Sequence, residues 1–417
     1  MTMTDRLLPP TEAIEIILRE VRRLPVEVVP LTEAGDRVLA EPLVADQDLP
    51  PFPAATMDGF AVIHDDTSPW REIIADQFAG RVVDVEVTPG TAARITTGAP
   101  LPRGADSVVP VERTEVRDDH VIILQEDVRP GENVRPVGAD LRRGEVLIPA
   151  GTVIGPAEIG LLASLGRAQV VVSRRPRVSV LSTGDELVDP DQEPGPGQIR
   201  DSNRFSLVVA ARRAGADVIW SGRGPDDAEA LRRVLLERIA ESDVVLTSGG
   251  VSVGEKDLIT RILDEIGRVH FRRLFMKPGK PFHFATVGQT YVFGLPGNPV
   301  SAIVGFEILV ATALRAMTGQ QPVLPRPVTV VLEHDVESGD RIEFQRGVVW
   351  SDGGGVLRAR NTGSQSSARL MSLIGANAFL LIPPRDRPYR AGERVQAIIR
   401  EPIGGRPEGD GGWEPGG

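Results

Sequence analysis

The chain of 417 residues contains no cysteine. Disulfides, thiolate metal sites and cysteine nucleophiles are therefore excluded. The opening residues, MTMTDRLLPP, lack the basic and apolar regions of a secretory signal. The most apolar helical stretch is PVSAIVGFEILVATALRAM, 299–317. It opens on a proline and carries Glu307 near its middle, so it is expected to be a buried helix rather than a membrane span. Positive charge is also short. The formal net charge is −11, which argues against nucleic acid or an anionic membrane as partner. A small anionic substrate is still allowed, because local basic residues can outvote the global sign. A cytoplasmic protein is expected.

What is present is ordinary globular composition, 41% apolar and 25% charged. The length suits two to four domains. The 44 glycines and 35 prolines are spread along the chain and imply many turns. Residues 403–417 are expected to be disordered. No internal repeat of fixed period is visible.

Thr11 precedes an amphipathic helical pattern with Ile14, Ile17, Leu18 and Val21 on one face. Short β-like segments follow, among them VVDVEV, ARITTGAP, DSVVPVE and HVIILQ, and a helix returns at GPAEIGLLASLG. Residues 1–25, 45–52 and 141–175 are expected to form one helix-containing domain. A β-rich module, 26–44 with 53–140, is inserted into it. Residues 176–319 alternate strands and helices, which predicts a three-layer αβα domain around a mostly parallel sheet. Ser202 is a candidate helix cap, Gly215 a helix stop, and Asp226 to Glu229 an acidic capping pattern. Residues 320–402 read as β again and predict a small barrel.

In the αβα segment, polar glycine-rich loops follow the strands: STGDEL, SGRGPDD, TSGGVSVGEKD, MKPGKP and GLPGNP. TSGGVSVGEKD is neither GxGxxG nor a P-loop. Ligands of open parallel sheets bind at the carboxyl ends of the strands, where such loops gather. Glycines such as Gly249 and Gly250 allow close backbone approach, and free N–H groups there favour anions. Asp185, Glu186, Asp226 and Asp257 are hard oxygen donors suited to Mg²⁺ shared with a phosphate. Arg273, Lys277 and Lys280 are cations for phosphate or an oxyanion. Each has a plainer reading: Asp226 and Asp257 as helix caps, Asp185–Glu186 as a solvated turn, and the lysines on a rigid Pro–Gly turn. Pro296 and Pro299 can simply shape a strand-to-helix turn. Convergence at one edge favours a site for a phosphorylated substrate and a divalent metal.

These motifs, in this order with GQIRDSN and GLPGNPVS, resemble the molybdopterin molybdenumtransferase family, which includes the E domain of gephyrin. PPFPAATMDGFAV, TTGAPLPRGADSVVPVE, GENVRPVGAD and TGSQSSARLMSLIGANAFLLIP extend the resemblance over nearly the whole chain. Phe60 stands where tyrosine is common. The sequence also departs from the family at Gly138–Ala139, where an acidic residue often precedes the aspartate. The resemblance implies insertion of molybdate into adenylylated molybdopterin, with release of AMP aided by Mg²⁺. It implies catalytic roles for Asp58, Asp140, Glu186 and Asp257, with Glu186 and Asp257 handling the metal. Thr97, Ser248 and Ser252 are implied on the substrate side. Lys277, Lys280 and Ser301 are implied on the oxyanion side, completed by Arg346 and Ser367. It further implies an elongated four-domain homodimer with its cleft between subunits, served by the upstream adenylyltransferase. That adenylyltransferase, which resembles the central domain alone, is the nearest rival identity. A non-catalytic scaffold is the second.

Overall fold

A computed structural model describes residues 6–124, 127–225, 227–250 and 258–404. The chain divides into two compact units, 1–40 with 151–155 and 169–417, and 41–150 with 156–168.

The first unit is organised by a six-stranded mixed sheet. Its strands are β1 (Arg177–Ser182), β2 (Asp217–Arg223), β3 (Val244–Ser248), β4 (Arg268–Arg273), β5 (Pro281–Val287) and β6 (Thr290–Leu295), in the order β2-β1-β3-β6-β5-β4. β2, β1, β3 and β6 run parallel, and β5 is antiparallel to both β6 and β4. Every residue of β3, VVLTS, is buried, as expected of a strand covered on both faces. Its side chains alternate between two cores. Val244 and Leu246 join a cluster with Val178, Leu207 and Phe293, whereas Val245 joins one with Leu181, Val292 and Ile259. That period of two is what makes the domain three layers.

Helices α1 (Asn203–Arg213) and α4 (Pro299–Thr318) cover the first face. Helices α2 (Ala228–Glu241) and α3 (Leu258–Ile266) cover the second. The chain's first helix, Pro10–Glu20, buries Ala13 and Ile17 in the first cluster. It thus packs on the αβα core, while the helix Pro156–Ser164 belongs to the other unit.

α4 is long and apolar enough to cross a membrane, yet its side chains form the core. A π turn at Phe306–Val310 interrupts it. Glu307, the acid in that apolar run, lies in this turn and receives both Arg400 Nε (2.6 Å) and Nη2 (2.5 Å). A two-pronged guanidinium is the partner a half-buried carboxylate needs.

Five strands close into the expected barrel: β7 (Val328–Leu332), β8 (Ile342–Ser351), β9 (Leu357–Asn361), β10 (Ala378–Ile382) and β11 (Arg394–Ile399). The pairings run β7-β9-β8-β10-β11 and back to β7.

The second unit carries a six-stranded curled sheet in the order Ser107–Pro110, Gly59–Val62, Thr91–Ile95, Trp70–Gln77, His120–Ile123, Thr114–Arg117. VVDVEV, expected as a strand, is not one. Val85 N–H bonds back to Val83 O (3.0 Å), and Val83 N–H goes to the Gln77 side chain (2.9 Å). The strand is Trp70–Gln77 instead, whose charged residues masked it in the sequence.

Candidate active site

Register fixes where the loops leave the central sheet. Ser182 of β1 pairs with Arg223 of β2 and Ser248 of β3, and Ser248 pairs with Leu295 of β6. The four parallel strands therefore end on one line. Arg273, the last residue of β4, pairs with Pro281 at the start of β5, so the segment between them turns at the same edge. All five polar loops share that edge, as the alternation of strands and helices predicted.

At the edge the packing is tight. Gly249 has φ +86°, and a Cβ there would lie 2.4 Å from the Thr183 carbonyl oxygen. Only glycine fits where two loops leave adjacent strands. Ser248 is buried, and its hydroxyl accepts from Asn203 Nδ2 (2.8 Å). The second hydrogen of that amide goes to Gly297 O (2.7 Å). Asn203 thus ties the TSGG loop to the GLPGNP turn. Asp201, 2% exposed, accepts from Ser182 Oγ (2.5 Å), Arg204 N (3.1 Å) and Arg204 Nε (3.1 Å). It performs the capping expected of Ser202, which makes no side-chain cap bond. Among the described residues, three buried polar atoms near these strand ends, Thr183 Oγ1, Thr247 Oγ1 and Asn203 Oδ1, have no hydrogen-bond partner. Unsatisfied buried polar atoms are rare in folded proteins, and each calls for a partner.

The expected residues take the following places. Asp185 and Glu186 lie exposed on the STGDEL turn, which closes by Leu187 N to Gly184 O (3.1 Å). Asp226, Ser252 and Asp257 lie outside the described residues. The cap of α2 is Asp227, whose carboxylate accepts from Ala230 N (2.8 Å). Pro296 is buried, and Pro299 occupies the first turn of α4, its preferred position. Ser301 is buried in that turn. The MKPGKP loop closes by Leu274 N to Lys280 O (2.8 Å), leaving Lys280 exposed and Arg273 half-buried. Lys277 Nζ stands 2.9 Å from Glu343 Oε1 of the barrel. Ser367 is brought to the edge: its Oγ accepts from Asn298 Nδ2 (3.0 Å), and its carbonyl from Val300 N (3.0 Å).

Arg346 is not presented as a free cation. It is 1% exposed, and its guanidinium bonds Ser372 Oγ (3.0 Å) and Ser366 O (3.2 Å). Burial lowers its pKa to about 10, partly offset by the Glu343 carboxylate. Its visible work is to hold the segment that carries Ser367.

In the other unit the sheet register joins two motifs. Gly59 pairs with Ile95, so MDGF and TTGAP meet. Asp58 Oδ1 accepts from Thr97 N (2.7 Å) and Thr97 Oγ1 (2.8 Å). The backbone bond, then the hydroxyl, hold the Asp58 carboxyl below its ordinary range. A Cβ on Gly59 would sit 2.0 Å from Val109 O, so this motif needs its glycine. Asp140 is ion-paired with Arg135.

Among the described residues no three His, Asp or Glu side chains gather into a metal cage. The exposed Asp185–Glu186 pair offers the oxygen donors that Mg²⁺ takes when waters and a substrate phosphate complete its shell. The donor set therefore fits a shared cation.

His283 of β5 is 4% exposed, with Nδ1 3.0 Å from Thr260 Oγ1 of α3. Burial, then Arg272 and Arg273, push its imidazole down to about 4. A lowered histidine must lose stability as pH falls. Between pH 6.5 and 4 the unfolded chain takes up a proton that the folded chain refuses. The loss between pH 7.5 and 4.5 is expected to be about 2–3 kcal/mol. Urea unfolding of wild type and His283→Asn at both pH values checks this. An equal pH dependence in the two proteins would remove His283 as the cause.

Three family models match the chain in order. They are the MoeA N-terminal region (domain I and II) over 8–166, a region described as a probable molybdopterin binding domain over 179–316, and the MoeA C-terminal region (domain IV) over 329–399. The molybdopterin molybdenumtransferase of Haemophilus influenzae is 35% identical over 376 residues, covering 88% of this chain and 92% of that protein. That of Bacillus subtilis is 33% identical over 410 residues, 95% of each. The crystal structure of the molybdopterin biosynthesis protein MoeA of Pyrococcus horikoshii superposes with a TM-score of 0.80 at 31% identity, covering 94% of this chain and all of that one. With all three regions matched in order and relatives 33–35% identical over most of both chains, this chain belongs to the molybdopterin molybdenumtransferase family.

Proposed function

We propose that the protein inserts molybdate into adenylylated molybdopterin, releasing AMP and forming molybdenum cofactor. The observation that carries this is the shared sheet edge. There, glycine loops for a phosphate, exposed carboxylates for a cation and lysines for an oxyanion leave strands ending on one line. The loops of Gly249–Gly250 and Pro296–Pro299 receive the phosphate-bearing substrate. Lys277 and Lys280, with Ser301 and Ser367, receive the tetrahedral anion. A divalent cation, Mg²⁺ in our reading, would be held by Glu186 and Asp257 and would neutralise the diphosphate when bound. Asp58 and Asp140 are further catalytic residues in our reading, and the working form is a homodimer. Asp58, kept ionised by Thr97, is a fixed negative charge that can order a water or a cation at neutral pH. We read the chain as four domains, working in the cytoplasm and receiving its substrate from the adenylyltransferase before it.

The test is substrate exchange. Purified protein given adenylylated molybdopterin, Mg²⁺ and molybdate should release AMP, and omission of molybdate should stop it. A protein that instead adenylylates molybdopterin from ATP, and cannot release AMP from the adenylate, is the upstream enzyme. Full AMP release by Asp58→Asn and Lys277→Met alike would leave this site without a role.

A further inference from the structure

Lys256, Lys277 and Lys280 are the only lysines among 47 basic residues. Lys277 and Lys280 both lie between β4 and β5, and Lys256 is outside the described residues. Everywhere else the chain uses arginine. A compact ammonium is therefore kept for this edge, and for Lys277 the structure shows what holds it. The two-residue strand Met276–Lys277 pairs in parallel with Ile342–Glu343 of β8. Lys277 stands directly beside Glu343 in that register, and their side chains meet at 2.9 Å. Glu343 is 4% exposed. Its second oxygen accepts from Gln345 Nε2 (2.9 Å), and that amide nitrogen also reaches Glu337 O (3.0 Å). Space for the carboxylate is reserved: a Cβ on Gly339 would lie 2.3 Å from Glu343 Oε1. Lys277, by contrast, is 45% exposed in its side chain. The buried end of the pair is fixed and the exposed end is aimed at solvent.

We propose that Glu343 is a positioning residue, through which the barrel fixes the Lys277 ammonium for a tetrahedral oxyanion. This rests on the reading that Lys277 serves the anion. A free lysine must give up rotamer freedom when it grips a ligand. Held by Glu343 it has already done so, and it keeps two N–H donors for the anion. The barrel thereby sets anion affinity without touching the anion. Glu343 also faces the buried Arg346, so its removal has a stability effect that must be separated from the positioning effect.

Two substitutions make that separation, because both remove the charge seen by Arg346. Glu343→Gln leaves an acceptor for the ammonium, and Glu343→Ala leaves none. The KM for molybdate is expected to be about tenfold higher in the Ala variant than in the Gln variant, with similar kcat. With three lysines in the whole chain, ¹⁵N-lysine labelling gives a simple ammonium spectrum. One signal should be displaced from the free-lysine position in wild type and in Glu343→Gln, and should return to it in Glu343→Ala. If Glu343→Ala does not fold, Gly339→Ala should displace the carboxylate and reproduce its KM. Equal KM values in the Ala and Gln variants, beside a Lys277→Met variant that is impaired, overturn the proposal alone. An unimpaired Lys277→Met overturns the reading of Lys277 and the proposal with it.

Discussion

Lys277→Met is expected to lower kcat/KM for molybdate-dependent AMP release by about 10²- to 10³-fold, the usual loss when one preorganised charge or donor leaves an anion site. Methionine keeps the length and apolar stem of lysine, so the change isolates the ammonium. It also strands Glu343, which is 4% exposed and loses its lysine partner. Leaving a buried carboxylate unpaired costs on the order of 3 kcal/mol. A fall in activity alone could therefore be a fall in folded protein. The double variant Lys277→Met/Glu343→Gln separates the two: neutralising the carboxylate should recover most of the stability and none of the activity. Lys277→Arg is expected to fail as well. A planar fork needs two coplanar acceptors, and Glu343 offers its second oxygen to Gln345. Unfolding curves and AMP release on the same preparations check all three. Activity that returns with stability in the double variant would remove Lys277 from the chemistry.

The partner of Lys277 is a residue that sequence reading passes over. Glu343 lies 66 positions from Lys277, in a strand whose text, RIEFQRGVVW, reads only as barrel. What joins them is the register of a two-residue strand, and no local pattern encodes that. The loops of the central sheet were legible for the opposite reason. Strand–loop–helix units are local, and a parallel sheet sends every such loop to one edge. Short-range chemistry was read less well where neighbouring residues compete. In SGRGPDD the described cap is Asp227, one position beyond the expected Asp226, and in RDSN Asp201 does the capping expected of Ser202. Each pair differs by one position, and sequence alone does not fix which of two neighbouring polar side chains reaches the free N–H groups of the helix. Arg346 shows the limit for charge. As a residue type it suits an anion, yet only its burial among Ser366, Ser372 and Gln365 reveals that its hydrogen bonds are already made. The N-terminal helix shows the limit for domains. Its amphipathic face was plain, but the surface that receives Ala13 and Ile17 is built by residues from Val178 onward.

Gly249→Ala is expected to cost about 2–5 kcal/mol and to abolish measurable activity in what remains folded. Two independent penalties meet there. The residue adopts φ +86°, a left-handed conformation that costs an L side chain about 1–2 kcal/mol. Its new Cβ would also stand 2.4 Å from the Thr183 carbonyl oxygen, and overpacking of this kind costs about 1–3 kcal/mol. Neither can relax cheaply, because Thr183 N–H is held by Ser248 O at 3.0 Å and Gly249 N–H by Leu295 O at 3.3 Å. The loops after β1, β3 and β6 are thus laced to one another by backbone bonds, and a shift at Gly249 moves all three. Gly160 is the control. It is exposed within the helix Pro156–Ser164, and a Cβ there meets nothing within 4 Å. Gly160→Ala should stabilise by about 0.5–1 kcal/mol through the unfolded state. Chemical denaturation of both variants gives opposite signs if backbone conformation governs these glycines. A Gly249→Ala protein as stable and active as wild type would mean that the edge is loose, and a loose edge could not hold a phosphate and an oxyanion in fixed relation.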